Sequence, residues 1–162
     1  LFGYAGEDKH YQAGNKRLIA SVNGWKINLQ VDMISAFRFG PETVFSTPIK
    51  AGAGNQLLPP APNMIFLFMW LTGPSEEAML ENTAMRRAIE NQCYVIGVNR
   101  VGSDGNNIYH SGNSLVIDPL GQVLYHMADQ EDVSTITLQK EKLEEVREKF
   151  PFWKDADSFT IH

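Results

Sequence analysis

Polar and apolar residues alternate most cleanly from Lys26 to Val31, where Ile27, Leu29 and Val31 interleave with Lys26, Asn28 and Gln30. A period of two is the pattern of a strand that lays one face on a core. The preceding run, Arg17 to Val22, joins it through Asn23-Gly24, a dipeptide that marks β-hairpins because both residues tolerate positive φ. Met64 to Leu71 (MIFLFMWL) contains no polar position, which at this length predicts a strand buried on both faces. The period then changes. Ser75 is a natural N-cap, Glu76 and Glu77 suit the positive first turn, and Ala84, Met85, Ala88 and Ile89 recur at helical spacing, so an amphipathic helix is predicted from Ser75 through Gln92.

Tyr94 to Val101 (YVIGVNRV) is rich in β-branched residues and reads as another buried strand. SDGNN at 103–107 is turn chemistry, and Asn113 to Asp118, the Pro119-Leu120-Gly121 turn and Gln122 to Met127 predict a hairpin. Val133 to Leu138 (VSTITL) alternates and predicts one more strand. Lys140 to Phe150 places Leu143, Val146 and Phe150 on one helical stripe, ended by Pro151. Two stretches lack any period. Residues 5–16 are polar and glycine-bounded, as in a loop, whereas residues 32–62 hold five prolines and an AGAG tract and are too long for an ordinary connection. Residues 40–62 are expected to be poorly ordered. The order of elements predicts an α/β (α+β) layered fold with helices outside sheets, in a single domain over residues 1–162.

Composition narrows the partners. At 43% hydrophobic and 20% charged the chain can form one ordinary core, and its net charge of −5 with scattered basic residues excludes a nucleic-acid footprint. No run approaches the ~18 apolar residues of a membrane span, and LFGYAGEDKH has no signal-peptide pattern, so a cytoplasmic protein without membrane partners is expected. The chain opens on Leu1 and is expected to begin inside a larger domain. Its one cysteine, Cys93, excludes an internal disulfide and is a candidate nucleophile. Cys93 lies between a helix end and an apolar strand, where a free cysteine usually serves as a small buried hydrophobe. His10, His110, His126 and His162 have no spacing that pairs one with Cys93 and form no metal-like cluster, so neither metal nor cofactor is expected. By composition alone Glu7, beside His10, is a solvated surface carboxylate.

RRAIENQCYVIGVNRVG (86–102), the turn DGNN, GNSLVIDPLGQVL (112–124) and the tail FPFWKDADSF (150–159) together resemble the carbon-nitrogen hydrolase (nitrilase) superfamily, most of all its omega-amidase branch. YAGEDKHYQAGN and GWKINLQV near the start resemble the same branch. The resemblance covers residues 1–31 and roughly 75–162. It implies part of a four-layer αββα sandwich, a homodimer, a small-molecule amide substrate such as 2-oxoglutaramate, and a Cys-Glu-Lys mechanism. Amide carbonyls are poor electrophiles, so such a mechanism needs a thiolate beside a base and a fixed cation facing the oxyanion. The resemblance places Glu7 at a supporting glutamate and Asp32 at the nucleophile's position, after INLQV. The base and lysine have no counterpart in this chain. A carboxylate at 32 does not replace the thiolate, so the chain is expected to be inactive.

The genetic code suggests how the cysteine was lost. Read from the third base of the Asp32 codon, the codons permitted for residues 32–40 can spell YDLRFPVW, which resembles the family's sequence after its cysteine. Residues 63–74 in that frame can spell YDLLIYVANWP, and 80–84 in the other shifted frame WKTLL, before the written frame resumes. Residues 32 to about 85 therefore read as a frameshifted stretch of an amidase gene. Resequencing the coding DNA tests this; clean reads preserving the written frame would sink it. The competing reading is a divergent, non-catalytic binding or dimerisation module.

Overall fold

A computed structural model describes residues 9, 18–31, 64–70 and 77–155 of the chain. The hairpin is present. β1 (Leu18–Val22) and β2 (Trp25–Val31) pair antiparallel with Val22 opposite Trp25, and the turn residues Asn23 and Gly24 take φ of 47° and 81°. β3 (Met64–Trp70) then lies between β2 and β4 (Tyr94–Asn99), parallel to both. Of its side chains Ile65 is described, and it is buried. The remaining strands are β5 (Val101–Ser103), β6 (Tyr109–Ile117) and β7 (Val123–Ala128). β6 pairs antiparallel with β4 through Leu115–Ile117, with β5 through Tyr109–Ser111, and with β7 along its other side. The lateral order is β1-β2-β3-β4-β6, with β5 and β7 both on β6.

Parallel neighbours need a crossover, and between β3 and β4 it contains helix α1 (Glu77–Asn91). Ala84 and Ala88 are fully buried and, with Cys93, Val95, Leu115 and Ile117, form one core cluster, completed by Met85 and Val123. Their small side chains let the helix approach the sheet closely. Helix α2 (Lys140–Lys149) buries Leu143 against Ile65 and Tyr94, with Trp25, Ile96 and Leu138 around them. Consecutive strand residues point to opposite faces. Val95 thus joins the α1 cluster and Tyr94 the α2 cluster, so β4 is covered from both sides at its amino end. Full burial of a side chain such as Ile117 or Leu143 contributes about 1.5–3 kcal/mol.

Both helix ends are closed by tertiary contacts. At the end of α1, Gln92 takes φ of 45°, Cys93 N–H donates to Ala88 O at 3.1 Å and Gln92 N–H to Ile89 O at 3.2 Å, the Schellman pattern in a residue other than glycine. The strain is offset by two contacts to α2: Gln92 Nε2 donates to Phe150 O at 2.6 Å and Arg147 Nε donates to Gln92 O at 3.0 Å. At the start of α2, Gln139 makes no side-chain cap, and the Tyr94 hydroxyl holds this residue, accepting Gln139 N–H at 3.4 Å and donating to Gln139 O at 3.0 Å.

Several expectations change. Residues 133–138 form no strand, and Val133 is 99% exposed. Alternation supplies faces, but a strand also needs a ladder, and this segment pairs with no described strand; Asp132 instead bonds the hydroxyls of Tyr125 and Ser134. The strand expected over Tyr94–Val101 ends at Asn99, whose Oδ1 accepts Arg100 N–H at 2.9 Å, and the chain resumes as β5 on another part of β6. In β2 the polar set contributes Asn28, 1% exposed, which is more buried than Ile27 or Leu29. Ser75 and residues 40–62 lie outside the described residues.

Candidate active site

The sheet's parallel centre creates one distinctive edge. β2, β3 and β4 run in the same direction and end nearly level, with Val31 opposite Met69 and Trp70 opposite Asn99. With neighbouring strands about 4.8 Å apart, the ends of β2 and β4 are about 10 Å apart. In open α/β sheets, ligands bind outside the carboxyl ends of such strands, where the connections separate. Here the chain leaves β4 toward β5 at that edge, while the antiparallel β6 returns beside it.

The exit from β4 is held rigidly. Asn99 N–H donates to Ser114 Oγ at 3.1 Å, the Ser114 hydroxyl donates back to Asn99 O at 3.3 Å, and Asn99 Oδ1 holds the next peptide. Arg100 follows, exposed, with Nη2 donating to Ser103 O at 3.3 Å. Beyond it Asp104 closes the 103–107 turn. Its Oδ1 accepts Asn106 N–H at 2.8 Å and Ile108 N–H at 2.9 Å, and its Oδ2 lies 3.7 Å from His110 Nε2. The two peptide N–H groups, with a smaller share from His110, hold the Asp104 carboxyl below the ordinary carboxylate range. The turn read from SDGNN is therefore a carboxylate-closed loop beside the edge.

Cys93 is not part of this edge. It precedes β4 at the opposite end, is 0% exposed, and sits among Ala84, Ala88, Val95, Leu115 and Ile117. Removal from water raises its thiol pKa far above the ordinary value, and Arg147 lowers it less than burial raises it. A nucleophilic cysteine needs accessible thiolate, and this site supplies neither access nor thiolate. The core role expected for Cys93 holds. His126 Nε2 is 2.8 Å from Asn113 Oδ1 on the β6–β7 surface, and His110 pairs with Asp104, so neither faces Cys93. Among the described residues no group of three or more His, Cys, Asp or Glu side chains can hold a metal, and no helix is long and apolar enough to cross a membrane. Glu7 and Asp32 lie outside the described residues; in sequence, Asp32 follows Val31, the last residue of β2. Asn99, Ser114 and Arg100 were not singled out from sequence. The one signal for them is the polar pair Asn99-Arg100 interrupting an apolar strand.

A mixed sheet with a parallel centre and helices packed on it is an α/β layered fold of the nitrilase type. Residues 61–148, over half of the chain, match the family model for carbon-nitrogen hydrolases, and the chain belongs to that family. It is 37% identical over 165 aligned positions to omega-amidase YafV of Escherichia coli, covering 99% of this chain and 57% of that protein. A 2-oxoglutaramate amidase of Bacillus subtilis is 41% identical over 69 positions, 43% of this chain and 26% of the other. Among solved structures, XC1258 of Xanthomonas campestris, a CN-hydrolase superfamily protein with an arsenic adduct in its active site, superposes with a TM-score of 0.82. It is 34% identical and covers all of this chain, which covers 58% of it. The chain thus spans little more than half the length of these full-coverage relatives.

Proposed function

We propose that this chain comes from an amidase of the omega-amidase type, whose substrate is a small acid with a terminal amide, of the 2-oxoglutaramate kind, hydrolysed to the diacid and ammonia. The observation that supports this most is the 37% identity to an omega-amidase along 99% of the chain. The level carboxyl ends of β2, β3 and β4 offer a ledge for such a molecule. With Asp32 at the position where the family's mechanism requires a cysteine, the chain as written binds the amide without hydrolysing it. Glu7 supports the substrate in this reading, and the assembled protein is a homodimer.

The test is to mix the purified chain with succinamate or 2-oxoglutaramate, follow ammonia, and measure binding by calorimetry. Binding with ammonia at background is expected. Ammonia release abolished by Cys93→Ala would overturn the assignment of Cys93 to the core. Absence of binding to either compound would reject the amide reading. It would favour the second one, a dimerisation module, for which Val133 at 99% and Val98 at 47% exposure supply apolar surface. Sedimentation velocity of the same sample reports the oligomeric state directly.

A further inference from the structure

We infer that Arg100 is the residue that selects acids over neutral amides at the carboxyl edge of the sheet, by pairing its guanidinium with the ligand's carboxylate. This deepens the amidase reading and rests on it. Three observations converge on Arg100. It directly follows β4, at the edge where the parallel strands end. Its backbone is fixed by the Asn99 and Ser114 hydrogen bonds, and its guanidinium is steered by Ser103 O. It makes no ion pair with any described residue, and the closest acid in sequence, Asp104, is already engaged by Asn106, Ile108 and His110. A planar guanidinium recognises a carboxylate through two parallel N–H donors, and one held in place loses little freedom on doing so.

The span is suitable as well. The ends of β2 and β4 are about 10 Å apart. An acid with its amide over the end of β2 extends its carboxylate toward β4, and the arginine stem covers the remaining gap. A neutral amide of the same length gains nothing from Arg100 and leaves the edge positively charged.

Calorimetry with succinamate and with butanamide, its uncharged counterpart, tests the assignment on the whole chain. The wild-type protein is expected to prefer succinamate. Arg100→Ala is expected to weaken succinamate binding about tenfold or more, the effect of losing a charged hydrogen-bonded pair, and to leave butanamide unchanged. Arg100→Lys, which keeps the charge and loses the fork, is expected to fall between. Arg100 is exposed, so unchanged circular dichroism checks that the variants fold. Equal binding of succinamate by wild type and Arg100→Ala, or equal weakening of both ligands, overturns the inference. If wild type binds succinamate no more tightly than butanamide, the inference fails while the amide reading stands, and binding of butanamide alone rejects both. Binding of neither rejects both together.

Discussion

Replacing Asp118 should cost more stability than replacing any other single polar residue among those described, and the geometry gives the size. Its carboxylate is 0% exposed and does two jobs. Oδ1 accepts Leu120 N–H at 2.9 Å and Gln122 N–H at 2.8 Å, closing the β6–β7 turn, while Oδ2 takes Lys142 Nζ at 2.7 Å and ties that turn to α2. Hydrogen bonds to a charged group contribute about 1.5–3 kcal/mol each; Leu120 and Gln122 are exposed, so water recovers part, and the lower bound applies. The ion pair adds about 1 kcal/mol or less, because the Lys142 side chain is 34% exposed and partly screened. Asp118→Ala should therefore destabilise by about 3–4 kcal/mol, or roughly 10 °C in Tm at this chain length. Asp118→Asn keeps the acceptor for both peptides and should cost about 1–2 kcal/mol. Urea and thermal unfolding followed by circular dichroism measure both. An Asp118→Ala variant within 1 kcal/mol of wild type, or an Asn variant as damaging as Ala, would refute the division of labour between turn and ion pair.

Gly121→Ala should destabilise more than Gly24→Ala. Both glycines have positive φ, 84° and 81°, but a Cβ on Gly121 would fall 2.8 Å from Ile89 Cδ1 and 3.1 Å from Met85 Cγ, whereas one on Gly24 meets nothing within 4 Å. Backbone strain costs each about 1 kcal/mol; crowding should add about 1 kcal/mol at Gly121 only, since Ile89 is half-exposed and can shift. Equal losses in urea midpoints would contradict this. The Cys93 thiol should resist iodoacetamide in the folded protein and react in urea, and Cys93→Ser should cost about 1–3 kcal/mol by burying a hydroxyl; fast native labelling would argue against the core placement. Above pH ~10.5 stability should fall. The hydrogen bond to Asp118 raises the folded Lys142 pKa above 10.5, so its contribution is complete below the unfolded value and is lost as pH rises through the folded one. Burial raises Tyr94 in the same sense, so Lys142→Met should flatten only part of the alkaline loss, and an unchanged slope would exclude Lys142.

The hairpin, the central strand and both helices were legible because their signals are local: Asn23-Gly24 for a tight turn, the apolar run MIFLFMWL for a strand, and Ala84, Met85 and Ala88 for a helical stripe. Residues 133–138 misled because alternation cannot report whether a partner edge exists. Asn28 misled for a related reason. Alternation separates two faces but does not say how deeply each position packs: Lys26, on the same face, is exposed, whereas Asn28 is 1% exposed and its Oδ1 has no hydrogen-bond partner among the described residues. That costs about 1–3 kcal/mol, so Asn28→Val should be tolerated or stabilising. At the site, the edge follows from strand direction, which alternation does not encode; the break at Asn99 depends on Ser114, fifteen residues along the chain.

The packed end of β4 and its carboxyl end are separate parts of the fold. Tyr94, Gln92, Cys93 and Asp118 meet α1 and α2 at the amino end of β4, where Val95 pairs with Ile117. Asn99 and Arg100 stand at its carboxyl end, and the length of β4 puts about 17 Å between the two groups. Sites farther apart than about 10 Å and without shared partners contribute additively. Substitution at Asp118 should therefore lower stability without altering the preference for succinamate over butanamide in the fraction that remains folded, and Arg100→Ala should alter that preference without moving the urea midpoint. A double variant departing from the sum by more than about 0.5 kcal/mol would mean that the edge depends on the packing at the other end of β4.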